Sequence, residues 1–319
     1  MVGTHLPGLS PAGTRDGELR RRPVDIVELA PTVYHLRSGS NAGLIVQGKE
    51  ALLVDAGLDR DAARRILKAV DRLGVRLVAC IITHAHADHF GGAYGVRRRA
   101  EIPVYAPTLE AAIIENPLLE PLYLFSGAAP VAELRGRFIM AKRGCPVDYP
   151  VEPGLLSIGD FDVQLLPLPG HAPNQVAVAW GNVCFIADAL FPASVIEKYG
   201  IPFYVDVDQT LASFDHMADW CYDVYAPGHG DAVTDPKPLL ALNRERVLLL
   251  RDRTLAALDQ PCTAADVLRL VANSLELHID DPTIYYLTRT TIHACLNSLR
   301  TAGLVDLSIR NNQAFWART

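Results

Sequence analysis

A chain of 319 residues has room for about two domains of roughly 150 residues each. Half of its residues are hydrophobic and 21% are charged, which supplies a buried core and excludes wholesale disorder. Thirty Lys+Arg against 36 Asp+Glu leave a net charge of −6, an argument against a mainly electrostatic nucleic-acid binder. Residues 1–22 are rich in Gly, Pro and Arg and lack an apolar signal-peptide core. They read as a flexible, solvated arm. No apolar run approaches the ~18 residues of a membrane span, so the expected location is the cytoplasm, with no membrane partner.

Residues 33–36 and 42–46 read as strands separated by the turn-rich Ser38-Gly39-Ser40-Asn41, and a third strand, 51–54, ends at Asp55-Ala56-Gly57. Residues 61–73 carry a helical period, with Ile66, Val70 and Leu73 on one face. The buried strand 77–82 delivers the next loop. Strand, helix, strand and a Gly-Gly helix start make an α/β signature. Residues 116–145 break this rhythm, being apolar, interrupted by Pro117 and Pro121, and too irregular for one helix. Strands return at 155–158 and 161–168, followed by a hairpin of 175–180 with 183–186. From Pro236 the pattern turns helical, at 239–258, at 263–275 with Thr263 as N-cap and Asp266 near the positive helix end, and at 283–302 before Gly303. Residues 304–309 and 314–317 close a hairpin around Asn311-Asn312. Helix, helix, helix, hairpin is the order of a winged-helix module, so a domain boundary is expected near 236. The six cysteines show no CxxC pair and read as reduced thiols, with Cys80, Cys184 and Cys221 inside or beside apolar runs, as core thiols should be.

The chemistry concentrates in Thr83-His84-Ala85-His86-Ala87-Asp88-His89-Phe90-Gly91-Gly92. His84 and His86 are two apart on an extended loop, so both imidazoles can face one side. Asp88 and His89 begin the next helix, where Gly91 and Gly92 permit close backbone approach. Imidazole mixed with carboxylate fits a divalent transition metal. His5, His35, His216, His278 and His293 read as structural or solvated.

Over residues 25–235 the sequence resembles the metallo-β-lactamase-fold superfamily. The family's ordered markers match Asp55 at a strand end, the string from His84 to His89, His171 in Pro169-Gly170-His171, Asp188 in Ile186-Ala187-Asp188-Ala189, and His229 in Pro227-Gly228-His229-Gly230. The resemblance implies a four-layer αββα domain over 23–235. It also implies a carboxylate-bridged binuclear site: His84, His86 and His171 on one metal, Asp88, His89 and His229 on the other, and Asp188 between them. Two divalent ions, zinc foremost with Fe or Mn also suiting the donors, would hold a bridging hydroxide that Asp88 orients for attack on a carbonyl. Asp55 is expected behind the ligands, hydrogen-bonded beneath their loop.

Within the superfamily, the bridging Asp188 speaks against true β-lactamases, and Asp188-Ala189-Leu190-Phe191 looks like the matching segment of glyoxalase II-type thioester hydrolases. Acyl-homoserine lactonases usually carry a Tyr where this chain has Phe191, and Tyr199 or Tyr204 could enter the cleft instead. The chain has no basic cluster of the kind with which glyoxalase II grips glutathione. The expected activity is hydrolysis of a thioester or an ester/lactone on a small-molecule acyl substrate. Phosphodiester hydrolysis, a mono-iron persulfide dioxygenase chemistry and a non-enzymatic ligand sensor are the alternatives. The 82-residue interval from His89 to His171 leaves room for an insertion at 116–145, read either as a lid or as a surface packing on the tail or on a second subunit. Residues 263–319 carry five Arg against five Asp and Glu, and a phosphate-tracking surface is normally basic. The winged-helix-like segment 236–319 is therefore expected to complete the pocket or form a homodimer interface rather than bind nucleic acid.

Overall fold

The computed structural model describes residues 24–319. The arm at 1–22, with His5, lies outside the described residues. Two β-sheets organise the rest. The first contains β1 (Asp25–Ala30), β2 (Val33–Arg37), β3 (Ala42–Gln47), β4 (Glu50–Val54), β5 (Arg76–Ile81), β6 (Val104–Pro107) and β7 (Tyr149–Val151), side by side in chain order. It is antiparallel up to β4 and parallel from there on. The second contains β8 (Gly154–Ile158), β9 (Phe161–Pro167), β10 (Val176–Trp180), β11 (Val183–Ala187) and β12 (Val224–Pro227), antiparallel except for the β11–β12 pair. The edge strands β1 and β7, and β6 beside the latter, are too short or too mixed in pattern to stand out in the sequence.

Side chains alternate across each strand, so each sheet has two apolar faces. Ile45, Leu52, Val54 and Ile81 of the first sheet meet Val163, Leu165, Val178 and Phe185 of the second in a layer between the sheets. On the outer face of the first sheet, Leu44, Leu53 and Cys80 pack against Ile66 and Val70 of α1 (Arg60–Leu73) and Val96 of α3 (Ala93–Ala100). Between these two helices lies the short α2 (Ala87–Phe90). On the outer face of the second sheet, Ala177, Cys184 and Ile186 join the C-terminal helices. The layers therefore run helix, sheet, sheet, helix.

Helices α4 (Thr108–Glu115) and α5 (Leu119–Leu124) follow β6, with a single 3₁₀ turn at Ala132–Arg135. Pro117 and Pro121 keep this stretch from forming one helix. Beyond β11 come α6 (Ala193–Tyr199) and α7 (Val207–Ala218), and beyond β12 come α8 (Lys237–Ala256), α9 (Ala264–Ser274) and α10 (Pro282–Thr301). The hairpin of β13 (Val305–Arg310) and β14 (Gln313–Arg318) ends the chain. Thr263 caps α9 through a reciprocal box with Asp266. Phe214 of α7, Val247 and Leu250 of α8, Val271 of α9, and Ile292 and Cys295 of α10 belong to the same apolar cluster as Cys184 and Ile186. The helical region after 236 thus shares its core with the second sheet.

All six cysteines are free thiols. Cys80 and Cys184 are buried, whereas Cys221 is exposed. That corrects its reading as a core thiol, because it lies in the connection after α7 rather than on an apolar face. No helix among the described residues is long and apolar enough to cross a membrane.

Candidate metal centre

The chemistry-bearing residues gather at one end of the two sheets, where parallel strands end together. Asp55 follows β4, the string from His84 to His89 follows β5, Asp188 follows β11, His229 follows β12, and His171 lies in the β9–β10 connection. Two of these strand ends are strained: Asp55 has φ 62° and Ala187, just before Asp188, has φ 46°. A left-handed conformation is costly for a residue with a Cβ. Here it turns both carboxylates inward, and the register shift of β11 at Ala187 re-aims Asp188 in the same way.

Asp55, 3% exposed, supports the histidine loop from below. Its carboxylate accepts the Thr83 backbone N–H at 2.8 Å, the Thr83 hydroxyl at 2.9 Å and His89 Nδ1–H at 2.8 Å. The Thr83 hydroxyl, donating to Asp55, accepts from His84 Nδ1–H at 3.0 Å. His171 Nδ1–H donates to the Phe203 carbonyl at 2.8 Å, and His229 Nδ1–H to the Gly39 carbonyl at 3.1 Å. Four rings are thus tied at Nδ1, and these bonds leave Nε2 as their free lone pair. Gly91 and Gly92 allow the loop to dock, since a Cβ at either would overlap the carbonyl oxygen of Leu58 or Ala56.

His84, His86 and His171 form one group whose ligand atoms lie within 4.8 Å of one another, and Asp88, His89 and His229 form a second. His84, His89 and Asp188 form a third that joins them. Asp188 Oδ1 lies 3.2 Å from His89 Nε2, and its Oδ2 lies 3.3 Å from His229 Nε2 and 3.7 Å from His171 Nε2. Asp88 Oδ2 faces His229 Nε2 at 3.2 Å and receives the Ser40 hydroxyl at 3.3 Å. Buried and without a hydrogen-bond partner are Nε2 of His84, His89 and His171 and Oδ1 of Asp188. Orphaned buried polar atoms are costly. Lone pairs on nitrogen and carboxylate oxygen pointed at one another are what a divalent cation satisfies, so the donors fit a metal.

The charges agree with the geometry. Burial alone would lower the pKa of His89 and of His229, yet Asp188 and Asp88 hold both rings well above the ordinary value. Burial opposes ionisation of Asp88 and Asp188, and the neighbouring His89 and His229 overcome it, holding both carboxyls below their usual range. Burial, together with His171, pushes His86 down to about 3.

Of the aromatic residues expected at the cleft, Phe191 is buried with its ring 5.3 Å from that of His171. Tyr204 is fully buried with its ring on Phe191, and its hydroxyl reaches no ligand. Tyr199 ends α6 at the surface, its hydroxyl accepting from Lys198 Nζ, and the structure does not bring it to the cluster. The neighbour of Tyr204 takes the place instead: Phe203 sets its ring 5.4 Å from His86 and 5.8 Å from His171. Adjacent residues on an extended segment face opposite ways, so a choice between 203 and 204 needed the register of that segment. Sequence reasoning also passes over two buried carboxylates. Glu110 of α4 accepts the N–H groups of Ala85 and Asn174 at 2.9 and 2.8 Å, joining the two histidine loops. Glu120 of α5 lies with Oε1 3.9 Å from His86 Nε2, its pKa raised well above the usual range by burial, then by Asp88 and Glu110. Both lie on short helices, of eight and six residues, in which burial leaves no periodic signal.

Residues 36–229 match the profile of the metallo-beta-lactamase superfamily. The probable metallo-hydrolase YqgX of Bacillus subtilis (strain 168) is 31% identical over 159 residues, 49% of this chain and 68% of that protein. A hydroxyacylglutathione hydrolase of Albidiferax ferrireducens is 27% identical over 175 residues, about half of each chain at 53%. Among solved structures, the metallo-beta-lactamase family protein TTHA1429 of Thermus thermophilus superimposes with a TM-score of 0.71 at 20% identity, covering 92% of this chain and 100% of that one. At that identity the likeness is one of fold, and it extends through the C-terminal helices.

Proposed function

The chain belongs to the metallo-beta-lactamase superfamily, and on that premise we propose that it is a hydrolase holding two divalent ions, zinc foremost, that cleaves a thioester or an ester or lactone. The observation that carries the reading is the set of unpartnered Nε2 atoms and the Asp188 oxygen facing one another across the cluster. His84, His86 and His171 would hold one ion, Asp88, His89 and His229 the other, and Asp188, whose two oxygens face histidines of both groups, would stand between. When bound, such ions polarise a carbonyl and acidify water to near neutrality.

The chain's own residues do the rest. Asp88, held by Ser40, has a side chain 26% exposed against 6% for Asp188, so it is the carboxylate of the two that solvent reaches. It orients the attacking water, accepts its proton and returns it to the leaving sulfur or oxygen. Phe191 and Phe203, packed on His171, offer an apolar wall for the acyl group. Hydroxyacylglutathione hydrolases among the relatives support the thioester choice, and the balanced charge of residues 263–319 weighs against nucleic acid. We read the substrate as a small acyl compound of the cytoplasm and the C-terminal region as part of the pocket wall.

The test combines metal analysis with a panel of acyl thioesters, lactones and bis-p-nitrophenyl phosphate. Two ions per chain, with thioester or lactone turnover above phosphodiester turnover, is the expected result. One ion or none after reconstitution defeats the binuclear reading, and dominant phosphodiester turnover defeats the substrate class.

A further inference from the structure

His86 differs from the other four histidines of the cluster. His84, His89, His171 and His229 each spend Nδ1 on a hydrogen bond to Thr83, Asp55, Phe203 or Gly39 and point Nε2 inward. His86 occupies the N-cap of α2, yet its ring makes no capping bond there. Its Nε2 lies 3.9 Å from Glu120 Oε1, and Glu120 belongs to none of the ligand groups found among the described residues. Glu120 is 3% exposed, and its Oε2 has no hydrogen-bond partner. The Nε2 side of His86 therefore faces out of the cluster, and Nδ1 is left to face in.

Resting on the metal reading above, we propose that Glu120 is the positioning residue of His86: it accepts the Nε2–H, fixes the ring's tautomer and leaves Nδ1 as the metal-binding atom. A histidine ligand whose second nitrogen donates to a carboxylate is oriented and made more basic. An acceptor oxygen is present on a carboxyl in either protonation form, so the role does not depend on the charge of Glu120. At 3.9 Å the two atoms stand just beyond hydrogen-bond range, and the proposed bond requires ring and carboxyl to close that gap.

Glu120 reaches this position because of what holds α5. Leu124 of α5 packs with Leu134 and Ile139, and Phe125, Phe203, Tyr286 and Leu287 close the cluster. Arg289 of α10 donates to the Leu124 carbonyl at 2.7 Å. The segment at 116–145 thus packs on the C-terminal helix, one of the two readings considered for it, and brings the Glu120 carboxylate beside His86.

The test compares zinc affinity, by competition with a chromophoric chelator and without substrate, in the wild type, Glu120→Gln and Glu120→Leu. Glu120→Leu is expected to weaken one of the two ions roughly 10–100-fold, while Glu120→Gln, which keeps a carbonyl acceptor, stays within about threefold. Long-range ¹H–¹⁵N spectra of histidine-labelled, zinc-loaded wild type should show one ring bound through Nδ1 with a protonated Nε2, its signal shifted in Glu120→Gln. These spectra decide the matter even if Glu120→Leu does not fold. Unchanged affinity in Glu120→Leu, or all rings bound through Nε2, overturns the assignment of Glu120 alone. A wild type that takes up no zinc overturns the metal reading with it.

Discussion

Gly228 sits where a side chain would strike the centre: a Cβ there would overlap Asp188 Oδ1 and fall 2.7 Å from His89 Cε1. Carbon atoms rest near 3.5–4.0 Å, so in Gly228→Ala the imidazole must move by about 0.8 Å or more, and the carboxylate further. The backbone cannot yield instead, because Gly228 N–H donates to the Ala187 carbonyl at 2.7 Å and its own carbonyl accepts from Asn41 N–H at 2.8 Å. Overpacking of this kind costs about 1–3 kcal/mol in stability. The larger effect should be on function, since a misplacement of about 1 Å lowers turnover on the order of 100-fold. The control is Gly39→Ala, close by in the β2–β3 turn, where a Cβ meets nothing within 4 Å and the carbonyl that receives His229 Nδ1–H is kept. Metal stoichiometry and kcat on the best thioester or lactone would be measured for both. Two ions and turnover within threefold of wild type in Gly228→Ala would refute the claim that Asp188 and His89 are held in a single working geometry.

Asp188→Ala removes the carboxylate that faces both groups of histidines and should lower ion occupancy and cost more than 100-fold in turnover, whereas Asp55→Ala should keep the ions and fall within roughly 10–100-fold; inductively coupled plasma analysis with kinetics separates the two, and the reverse order would show the roles to be exchanged. Because the carboxylates overcome burial and hold His89 and His229 protonated above their ordinary range, ion binding must displace protons. Zinc affinity should therefore fall from pH 8 to pH 6, with proton release seen by calorimetry in buffers of different ionisation enthalpy, and an affinity independent of pH would contradict this. Burial lowers the His35 pKa from 6.5 to about 4, so the unfolded chain binds a proton before the folded one does. The stability is whole above pH 6.5 and is lost as pH falls toward 4, by about 3 kcal/mol at most. In chelator, His35→Gln should flatten urea stability across that range, and a slope equal to wild type would rule out the contribution.

The ordered string from His84 to His89 with Asp55, His171, Asp188 and His229 was legible because each residue sits at a strand end or a glycine turn, where local sequence decides the geometry. The same holds for the Thr263–Asp266 cap. What the sequence left open depends on tertiary register. Phe203 and Tyr204 are adjacent and both aromatic, and only the path of the chain after Gly200 puts the first on His86 and the second in the core. Ser40 and Asn41 read as turn residues, yet Ser40 holds Asp88, and Asn41 Nδ2 donates to the carbonyls of Pro227 and Gly230. Glu110 and Glu120 lie on short helices whose exposed neighbours, Leu109 and Leu119, give no amphipathic signal.

The first sheet is built from residues 25–151 and the second from 154–227, each an unbroken stretch of chain. The histidine string hangs from the first, while His171, Asp188 and His229 hang from the second. An ion grasped from both sides would act as a rivet across the seam between two successive halves of the polypeptide, closing loops that span most of the domain. Its binding energy would then add to folding energy. Starved of ions, the seam should be left to the apolar layer between the sheets, and the chain should lose the stability that the ions add there.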